Sequence, residues 1–387
     1  MDINLIPEFH LPTDIFVRQD IAPIIPSIVE QYGTRVLMIT TKNDITFHYK
    51  TIEQISSNFK KAGIGCIVFD SIPENPDTEY LDEVVNFSKK TNCNIIIAFG
   101  GNEAVNVARA VSILIPNYLF CDSIFDNPPL PNPNLPLIII PTHPLFGFEI
   151  VPILYVYNLI QKKYCIFSNK NLFPVAAIID SNLSKFTPSE QFLRSIFATL
   201  AISIESLISQ TNNELSNTFA LKSVDFIFRD LANHFNNPDN INIRQMLETA
   251  SVMSGIAFSS SLYSTSLAIA LATSSTYKVS VESIINIAIS YVMEYNLSSS
   301  TGKYVQIAKV MGENYRDITV IEAALKAVEG LRKLQVEYGL TQKLSELNIN
   351  KNDLKSISKI AEAYTLNNNS PKLLNAGEIE TILVSAY

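Results

Sequence analysis

The sequence of 387 residues predicts an α/β N-terminal domain with a parallel sheet, followed by an all-α C-terminal domain. Three observations lead to this fold class. In the first half, short apolar runs rich in β-branched residues alternate with helical patterns, which is typical of parallel strands joined by helices. One of these runs ends at the pair Gly100-Gly101 and leads directly into a helix. After Asp180 the spacing of apolar residues is helical almost throughout.

The elements of the first half follow from apolar runs and from the turn residues between them. A helix is also predicted directly after the glycine pair, and the Pro- and Asn-rich residues 116–136 predict a surface loop. Strands are predicted over residues 35–40, 65–69, 95–97, 137–140 and 175–179, an antiparallel pair over 153–157 and 164–167, and helices over 51–62 and 79–91.

The second half begins with a typical helix start, because Thr187, Pro188 and Ser189 precede Glu190. Since the pattern changes between residues 181 and 188, we expect two domains, residues 1–183 and 184–387. Helices are predicted over residues 191–209, 217–233, 243–276, 281–295, 304–311, 320–338 and 354–364.

Composition excludes several classes of protein. The net charge is −8 without a basic patch, which argues against a nucleic-acid partner. The four cysteines have no Cys-x-x-Cys spacing and predict reduced, intracellular packing residues. The start MDINLIPEF lacks the features of a signal peptide, and the uncharged but Ser- and Thr-rich residues 251–277 suit a buried core helix better than a membrane span. We therefore expect a cytoplasmic protein without membrane association.

The glycine pair predicts an anion site, because bare backbone can approach a ligand there and the following helix directs its first N–H groups at it. A nucleotide pyrophosphate is the usual occupant, so the first domain is predicted to be Rossmann-like and of nucleotide-binding type. Glu103 allows two interpretations. In the first, its carboxylate repels a bound phosphate. At a separation of about 4 Å this repulsion costs about 1 kcal/mol in water and about 4 kcal/mol at the dielectric of a protein surface. Alternatively, Glu103 only stabilises the positive end of the helix.

Taken together, these stretches resemble the iron-containing (group III) alcohol dehydrogenase family, which has the dehydroquinate synthase-like fold. The likeness runs through the whole chain, in the segments IIIAFGG, IPTHPLFGFEIVP, LFPVAAIIDSNL, GIAFS and YVMEYN. The resemblance implies that NAD or NADP binds at the glycine turn. It also implies a divalent metal, iron or zinc, in the all-helical domain, where the metal polarises the alcohol oxygen during hydride transfer.

By this resemblance each cofactor position can be located. In the loop that the family writes Pro-Thr-Thr-Ala-Gly-Thr-Gly-Ser-Glu, small residues are replaced by bulky ones that include Phe146 and Phe148, and we expect these rings to crowd the cofactor pocket. The sequence therefore leaves open whether NAD(P) binds. The cofactor positions fall on Thr41, Asn75, Gly100, Gly101, Asn102 and Thr142.

The family's metal ligands, one Asp and three His, fall on residues without a lone pair to donate: Ala198, Ile202, Leu267 and Val281. Since iron and zinc need nitrogen, oxygen or sulfur ligands, we expect no metal.

His143 and Lys278 are the remaining candidates for chemistry. His143 lies in the presumed site, where it could contact a phosphate or act as an acid, and Lys278 could bind an anion. For each residue the alternative is a purely structural role. The other three histidines, His10, His48 and His234, are predicted to be solvated structural residues.

The sequence suggests three functions. The first is a metal-free pseudoenzyme with a structural, assembly or regulatory role, expected by resemblance to form a homo-oligomer, either a dimer or a larger assembly. The second is a metal-independent NAD(P)-dependent oxidoreductase in which His143 or Lys278 supplies the proton or holds the substrate. The third is an ordinary metal-dependent alcohol dehydrogenase, against which the four ligand positions argue.

Overall fold

The computed structural model describes residues 9–387, so the expectation about a signal peptide lies outside the described residues except at Phe9. The chain folds as two compact units. The α/β unit contains residues 12–192 and 238–248, and the helical unit contains residues 193–237 and 249–387 with the described residues before Pro12. The fold class is confirmed, while the boundary between residues 183 and 184 stays a prediction.

The α/β unit is built on a central sheet and a separate hairpin. The strands are β1 (Asp14–Val17), β2 (Arg35–Ile39), β3 (Gly65–Phe69), β4 (Ile95–Gly100), β5 (Leu137–Pro141), β6 (Ile153–Asn158), β7 (Lys163–Ser168) and β8 (Ala176–Ile179). The sheet is parallel in the order β1-β8-β5-β4-β2-β3, and β6 pairs antiparallel with β7. Every residue of β4 is buried, as its β-branched run predicts.

The register of the sheet positions the glycine turn. Gly100 lies opposite Pro141 where β4 pairs with β5, and the carboxyl ends of parallel strands meet at one edge of a sheet. Beneath this edge, Val36, Ile97 and Phe99 belong to a hydrophobic cluster that also contains Phe59 of the second helix. Burial of each such side chain contributes about 1.5–3 kcal/mol, so the turn rests on a rigid base.

The α/β unit carries the helices α1 (Ile25–Val29), α2 (Lys42–Lys61), α3 (Thr78–Thr91), α4 (Asn102–Asn117) and α5 (Ser181–Ser184). The helix predicted over residues 51–62 is confirmed by the part of α2 after a kink at His48 (φ −115°, ψ 20°), but its start at residue 51 is wrong, because α2 begins at Lys42. Thr41 caps α2 by accepting a hydrogen bond from the backbone N–H of Asp44, so the helix begins directly after β2. The predicted loop from residue 116 is also wrong at its start, because α4 tolerates Pro116 in its last turn.

The remaining helices are α6 (Ser189–Ile208), α7 (Glu214–Asn236), α8 (Ile241–Ser261), α9 (Thr265–Ser274), α10 (Val281–Asn296), α11 (Thr301–Val310), α12 (Val320–Glu337), α13 (Leu354–Glu362) and α14 (Ala376–Ser385). The single helix predicted over residues 243–276 is wrong. It divides into α8 and α9, which meet at 97°. Leu262 adopts φ 44° at the break, and Ser264 caps α9 by accepting from the N–H of Leu267.

Within residues 9–387, one helix is long and apolar enough to cross a membrane by length and composition, or two if the bent pair of α8 and α9 is taken as one span. The single helix is α6, and 89% of its most apolar stretch is buried inside the structure. The uncharged residues predicted to form a core helix are also largely buried, and every residue from Thr265 to Thr273 in α9 is at most 1% exposed. Both segments therefore behave as core helices in this fold.

Candidate functional site

The site is organised around the turn between β4 and α4. Gly100 adopts φ 146°, a conformation that favours glycine, and Gly101 is the N-cap residue of α4 without a side-chain capping bond. The backbone N–H of Thr142 donates to the carbonyl of Gly100 at 3.3 Å. The loop after β5 is therefore held beside the start of α4.

Side chains of the chain itself approach both glycines closely. A Cβ atom on Gly100 would lie 2.5 Å from Oδ2 of Asp44. A Cβ atom on Gly101 would lie 2.9 Å from Cε1 of His143 and 3.2 Å from Oε2 of Glu103. In relatives, the backbone of this turn is expected to contact a pyrophosphate. In this chain, two carboxylates and an imidazole lie next to it.

Asp44 is fixed at this position by two hydroxyl groups. The Oγ1 of Thr41 donates to Oδ2 at 2.6 Å, and the Oγ1 of Thr142 donates to Oδ1 at 2.9 Å. Asp44 also lies in the first turn of α2, where a negative charge is stabilised by the helix dipole. Asp44 was not predicted from the sequence, although its place three residues after a capping threonine is a local signal for a helix start.

His143 lies between Thr142 and Gln191. Its Nδ1 is 3.5 Å from the Oγ1 of Thr142, and its Nε2 is 3.4 Å from the Nε2 of Gln191. Because the Thr142 hydroxyl donates to Asp44, the consistent assignment has Nδ1–H donating to Thr142 and Nε2 accepting from the Gln191 amide. With this assignment the ring is oriented by contacts on both sides.

His48 is a second imidazole of the site. It is 4% exposed, and its ring meets Phe99 and Phe186 edge-on at centroid distances of 5.7 Å and 5.2 Å. Burial lowers the pKa of His48; nearby Asp44 opposes this shift and His143 adds to it. Its Nδ1 is buried and has no hydrogen-bond partner in the protein. A donor or acceptor on a ligand would therefore satisfy a group that the fold leaves unpaired.

The predictions for two histidines are corrected. His48 was expected to be solvated, but it is buried and lies at the kink of α2. His234 was also expected to be solvated, but it is 5% exposed in α7 and meets the ring of Phe235 at 5.7 Å. His10 is exposed, as predicted.

A cavity of about 610 Å³ opens at the glycine turn, and every residue that lines it belongs to the α/β unit. We call it the glycine-turn cavity. It brings together four predicted site residues, Thr41, Gly101, Thr142 and His143. The other lining residues are Lys42, Asn43, Asp44, Phe47, His48, Ile72, Pro73, Glu74, Glu103, Phe186, Thr187, Pro188 and Gln191.

The other predicted site residues do not line this cavity. Gly100 lies under Asp44, and Asn102 is 8% exposed with an unpartnered Oδ1. Asn75 is exposed and accepts a hydrogen bond from the hydroxyl of Tyr164 at 3.2 Å. Lys278 is exposed in the connection between α9 and α10 of the helical unit.

Phe146 and Phe148 were expected to crowd the cofactor pocket, but neither ring lines the cavity. Both side chains are fully buried, and their ring centroids lie 5.0 Å apart. Their loop is held by Arg109 of α4, whose guanidinium donates to the carbonyls of Phe148, Val151 and Ile153 at 2.5 Å, 2.6 Å and 2.8 Å. Burial lowers the pKa of Arg109 to about 9. The residues that crowd the turn are instead His143 and Glu103.

The positions that correspond to metal ligands lie in the helical unit. Ala198, Ile202 and Leu267 are at most 1% exposed, and Val281 is the first residue of α10. No side chain among these four has a nitrogen, oxygen or sulfur atom. Within residues 9–387, no group of three or more His, Cys, Asp or Glu residues is arranged to hold a metal ion. The residues present therefore do not fit an iron or zinc ion at this place.

A carboxylate does persist on α6, one turn after Ile202. Glu205 is fully buried, and it accepts from the Oγ of Ser264 at 2.6 Å and from the N–H of Ser266 at 3.0 Å. Burial raises the pKa of Glu205 to about 7, against the opposing effect of these hydrogen bonds. Its two partners lie at the start of α9, so Glu205 fixes that start to α6.

The fold and the glycine turn together define a protein with a Rossmann-like domain and an all-helical domain. Comparison with known families extends this description. Residues 12–181 match the iron-containing alcohol dehydrogenase model, and residues 196–387 match the model for the C-terminal domain of the Fe-containing alcohol dehydrogenase family. The chain belongs to the iron-containing alcohol dehydrogenase family, as the sequence resemblance predicted.

Relatives match over nearly the full chain at low identity. The NAD-dependent methanol dehydrogenase of Bacillus methanolicus is 20% identical over 379 residues, which cover 98% of this chain and 99% of that protein. The 1,3-propanediol dehydrogenase of Citrobacter freundii is 24% identical over 356 residues, or 92% of each chain. The structure of an alcohol dehydrogenase from Oenococcus oeni superposes with a TM-score of 0.92 at 20% identity, covering 98% of this chain and 99% of that one. The structural likeness establishes the fold.

Proposed function

We propose that this chain is a metal-free member of its family that has lost metal-dependent alcohol oxidation and has a structural, assembly or regulatory role. The observation that carries this proposal is the occupation of four ligand positions by Ala198, Ile202, Leu267 and Val281. Without a bound cation, no electrophile at that place polarises the alcohol oxygen.

The replacement is physically coherent. Loss of a single ligand would leave the remaining polar groups buried and unpaired, which costs free energy. Replacement of the whole set by apolar side chains turns the same volume into core. Full burial of Ile202 and of Leu267 stabilises the helical unit by about 1.5–3 kcal/mol each.

The glycine turn supports the same proposal. Asp44 and Glu103 lie next to Gly100 and Gly101, where the phosphates of a dinucleotide would need positive or neutral donors. At about 4 Å, repulsion between one carboxylate and a phosphate costs about 1–4 kcal/mol, depending on the local dielectric. Both carboxylates therefore oppose a dinucleotide at this place, whereas the helix start favours it by about 0.3–1 kcal/mol per charge.

Metal analysis combined with activity assays tests the proposal. The purified full-length protein, loaded anaerobically with Fe(II) or Zn(II) and desalted, is analysed by inductively coupled plasma mass spectrometry. It is also assayed with a panel of alcohols and aldehydes and both nicotinamide cofactors. We expect substoichiometric metal and no steady turnover. The 1,3-propanediol dehydrogenase of Citrobacter freundii, treated identically, is the control. One metal per chain, or sustained turnover, would contradict the proposal.

The second candidate is a metal-independent NAD(P)-dependent oxidoreductase that acts on a small aldehyde, ketone or alcohol. It is favoured by the preserved glycine turn and by an oriented imidazole, His143, beside it. The nicotinamide would supply the hydride, and His143 would supply or accept the proton. Calorimetric titration with NADH and NADPH separates the candidates: micromolar binding favours the second, and the absence of binding heat favours the first.

Self-association is also proposed from the family resemblance. We expect a dimer or a larger homo-oligomer, because members of this family commonly form dimers. Size-exclusion chromatography with light scattering measures the mass in solution. A mass close to 43.1 kDa, the mass of one chain, at every concentration would contradict the expectation.

A further inference from the structure

A run of prolines connects a short 3-10 helix, Cys121–Asp126, to strand β5. Five of the nine residues from 128 to 136 are proline, whereas a β-turn favours proline at a single position. We call residues 128–131, Pro-Pro-Leu-Pro, the proline segment. It lies in no helix or strand, and Pro129 and Pro131 are exposed. The segment is therefore open to a partner at its proline rings.

The order of residues in the proline segment favours a polyproline II helix. Each proline ring fixes its own φ, and a residue that precedes a proline is driven out of the helical region into extended backbone. Pro128 and Leu130 are such preceding residues. A polyproline II helix has no internal hydrogen bonds, and its backbone stays solvated. Within residues 9–387, no hydrogen bond joins the backbone of residues 128–131 to another residue, so its carbonyl groups are free to accept.

The proline segment is anchored at both ends. On its N-terminal side, the N–H of Asn127 donates to the carbonyl of Ile124 at 3.1 Å. On its C-terminal side, the N–H of Asn132 donates to the Oδ1 of Asn117 at 3.1 Å, and the Nδ2 of Asn117 donates to the carbonyl of Asn132 at 3.3 Å. A segment held in this way loses little freedom when a partner binds, which favours affinity.

Two exposed aromatic rings lie at the same end of α4. Tyr118 and Phe120 follow Asn117, the residue that is bonded to the loop, and they are 80% and 71% exposed. Tyr118 adopts φ 54°, a left-handed conformation that costs a residue other than glycine about 1–2 kcal/mol. Because its ring is mostly in solvent, burial does not offset this cost. Neighbouring exposed apolar side chains are typical of interaction sites.

We propose that the proline segment binds a partner protein that has a groove lined with aromatic rings, of the kind found in WW and SH3 domains. The proline rings pack against the aromatic rings of the groove, and the free carbonyls accept hydrogen bonds from its donors. Charge narrows the choice of groove. Residues 110–161 contain no Lys or Arg, and the exposed Asp126 precedes the segment, so the flank of the groove is neutral or basic. The inference goes beyond the proposed function, since docking at this surface does not require loss of the metal.

Calorimetric titration of the full-length protein tests this inference. The probes are two groups of purified WW and SH3 domains, one with neutral or basic residues beside the aromatic groove and one with acidic residues there. We expect saturable binding of at least one domain of the first group, with one domain per chain. Domains of the second group are expected to bind at least about tenfold more weakly, because acidic residues meet Asp126 without a cation between them.

Variants locate the binding surface. The double variant P129A/P131A is expected to weaken domain binding about tenfold, and Y118N about threefold. Y118N keeps the backbone, because asparagine tolerates the left-handed conformation at a helix end. P238A is the matched control, since Pro238 is an exposed proline that follows an asparagine outside the segment. Circular dichroism and thermal unfolding verify that each variant folds. If P129A/P131A does not fold, a domain whose groove tryptophan is replaced by alanine carries the test, and it should not bind the wild type.

Three outcomes would overturn the inference. They are no saturable binding by any domain of the two groups, equal affinity of the wild type, P129A/P131A and P238A for a domain, or binding that survives loss of the groove tryptophan. Equal affinities would mean that the prolines only stiffen the connection to β5. Absence of domain binding leaves the proposed function intact, whereas metal loading or turnover rejects the proposed function and leaves this inference intact.

Discussion

The buried carboxylate of Glu205 makes the stability of the helical unit dependent on pH. Glu205 is fully buried, and burial raises its pKa from the ordinary value of 4.5 to about 7. The folded state therefore binds this proton more tightly than the unfolded chain does. The resulting stability is fully present below pH 4.5 and is lost as the pH rises through about 7.

The magnitude follows from the shift. Each pH unit of displacement corresponds to about 1.4 kcal/mol, so a shift from 4.5 to about 7 gives about 3 kcal/mol. A glutamine at this position carries no charge at any pH. The difference in unfolding free energy between the wild type and E205Q should therefore change by about 3 kcal/mol between pH 4.5 and pH 8, with the wild type losing stability relative to the variant as the pH rises.

Urea denaturation at several pH values measures this difference. Far-UV circular dichroism is the suitable signal, because the chain contains no tryptophan. E337Q serves as the control, because Glu337 is an exposed carboxylate at the end of α12, and its difference from the wild type should stay constant with pH. A constant difference for E205Q, or one that changes in the opposite direction, would refute the assignment of a buried and protonatable Glu205.

Three further predictions concern packing and the glycine turn, each measured by denaturation. I202D should lower the free energy of unfolding by at least about 3 kcal/mol because it buries an unpaired charge, whereas I202V should lower it by about 1 kcal/mol. Equal losses would show that the site is hydrated. R109M should cost about 3–5 kcal/mol, since three carbonyls lose their donor; a loss below about 1 kcal/mol would contradict the role of Arg109. G100A should cost about 1–3 kcal/mol, because the residue has φ 146° and a Cβ atom would lie 2.5 Å from Asp44; a neutral effect would contradict this geometry.

Much of the fold was predictable because local patterns decide it. The strand over residues 65–69 matches β3, and the β-branched run before Gly100 forms the fully buried β4. The break between α8 and α9 was not predictable from composition, since an uncharged run indicates burial but not continuity. It depends on the conformation of Leu262 and on the capping bond of Ser264.

The candidate site was predictable only in part. The glycine pair was located from the pattern of strand, turn and helix, and Thr142 was located by resemblance; the register of β4 with β5 brings them together. Asp44 was missed and His48 was expected to be solvated, because their positions depend on where α2 begins and where it bends, and helix ends are poorly determined by sequence patterns. Phe146 and Phe148 were expected in the cavity because size alone does not reveal which way a side chain points.

The most direct measurement of the central claim is anomalous diffraction at the iron and zinc absorption edges. Crystals of the full-length protein are grown after anaerobic loading with each metal. We predict no anomalous peak near the side chains of Ala198, Ile202, Leu267 and Val281. A peak at that place with coordinating atoms at about 2.0–2.3 Å would contradict the claim that the chain has lost its metal centre.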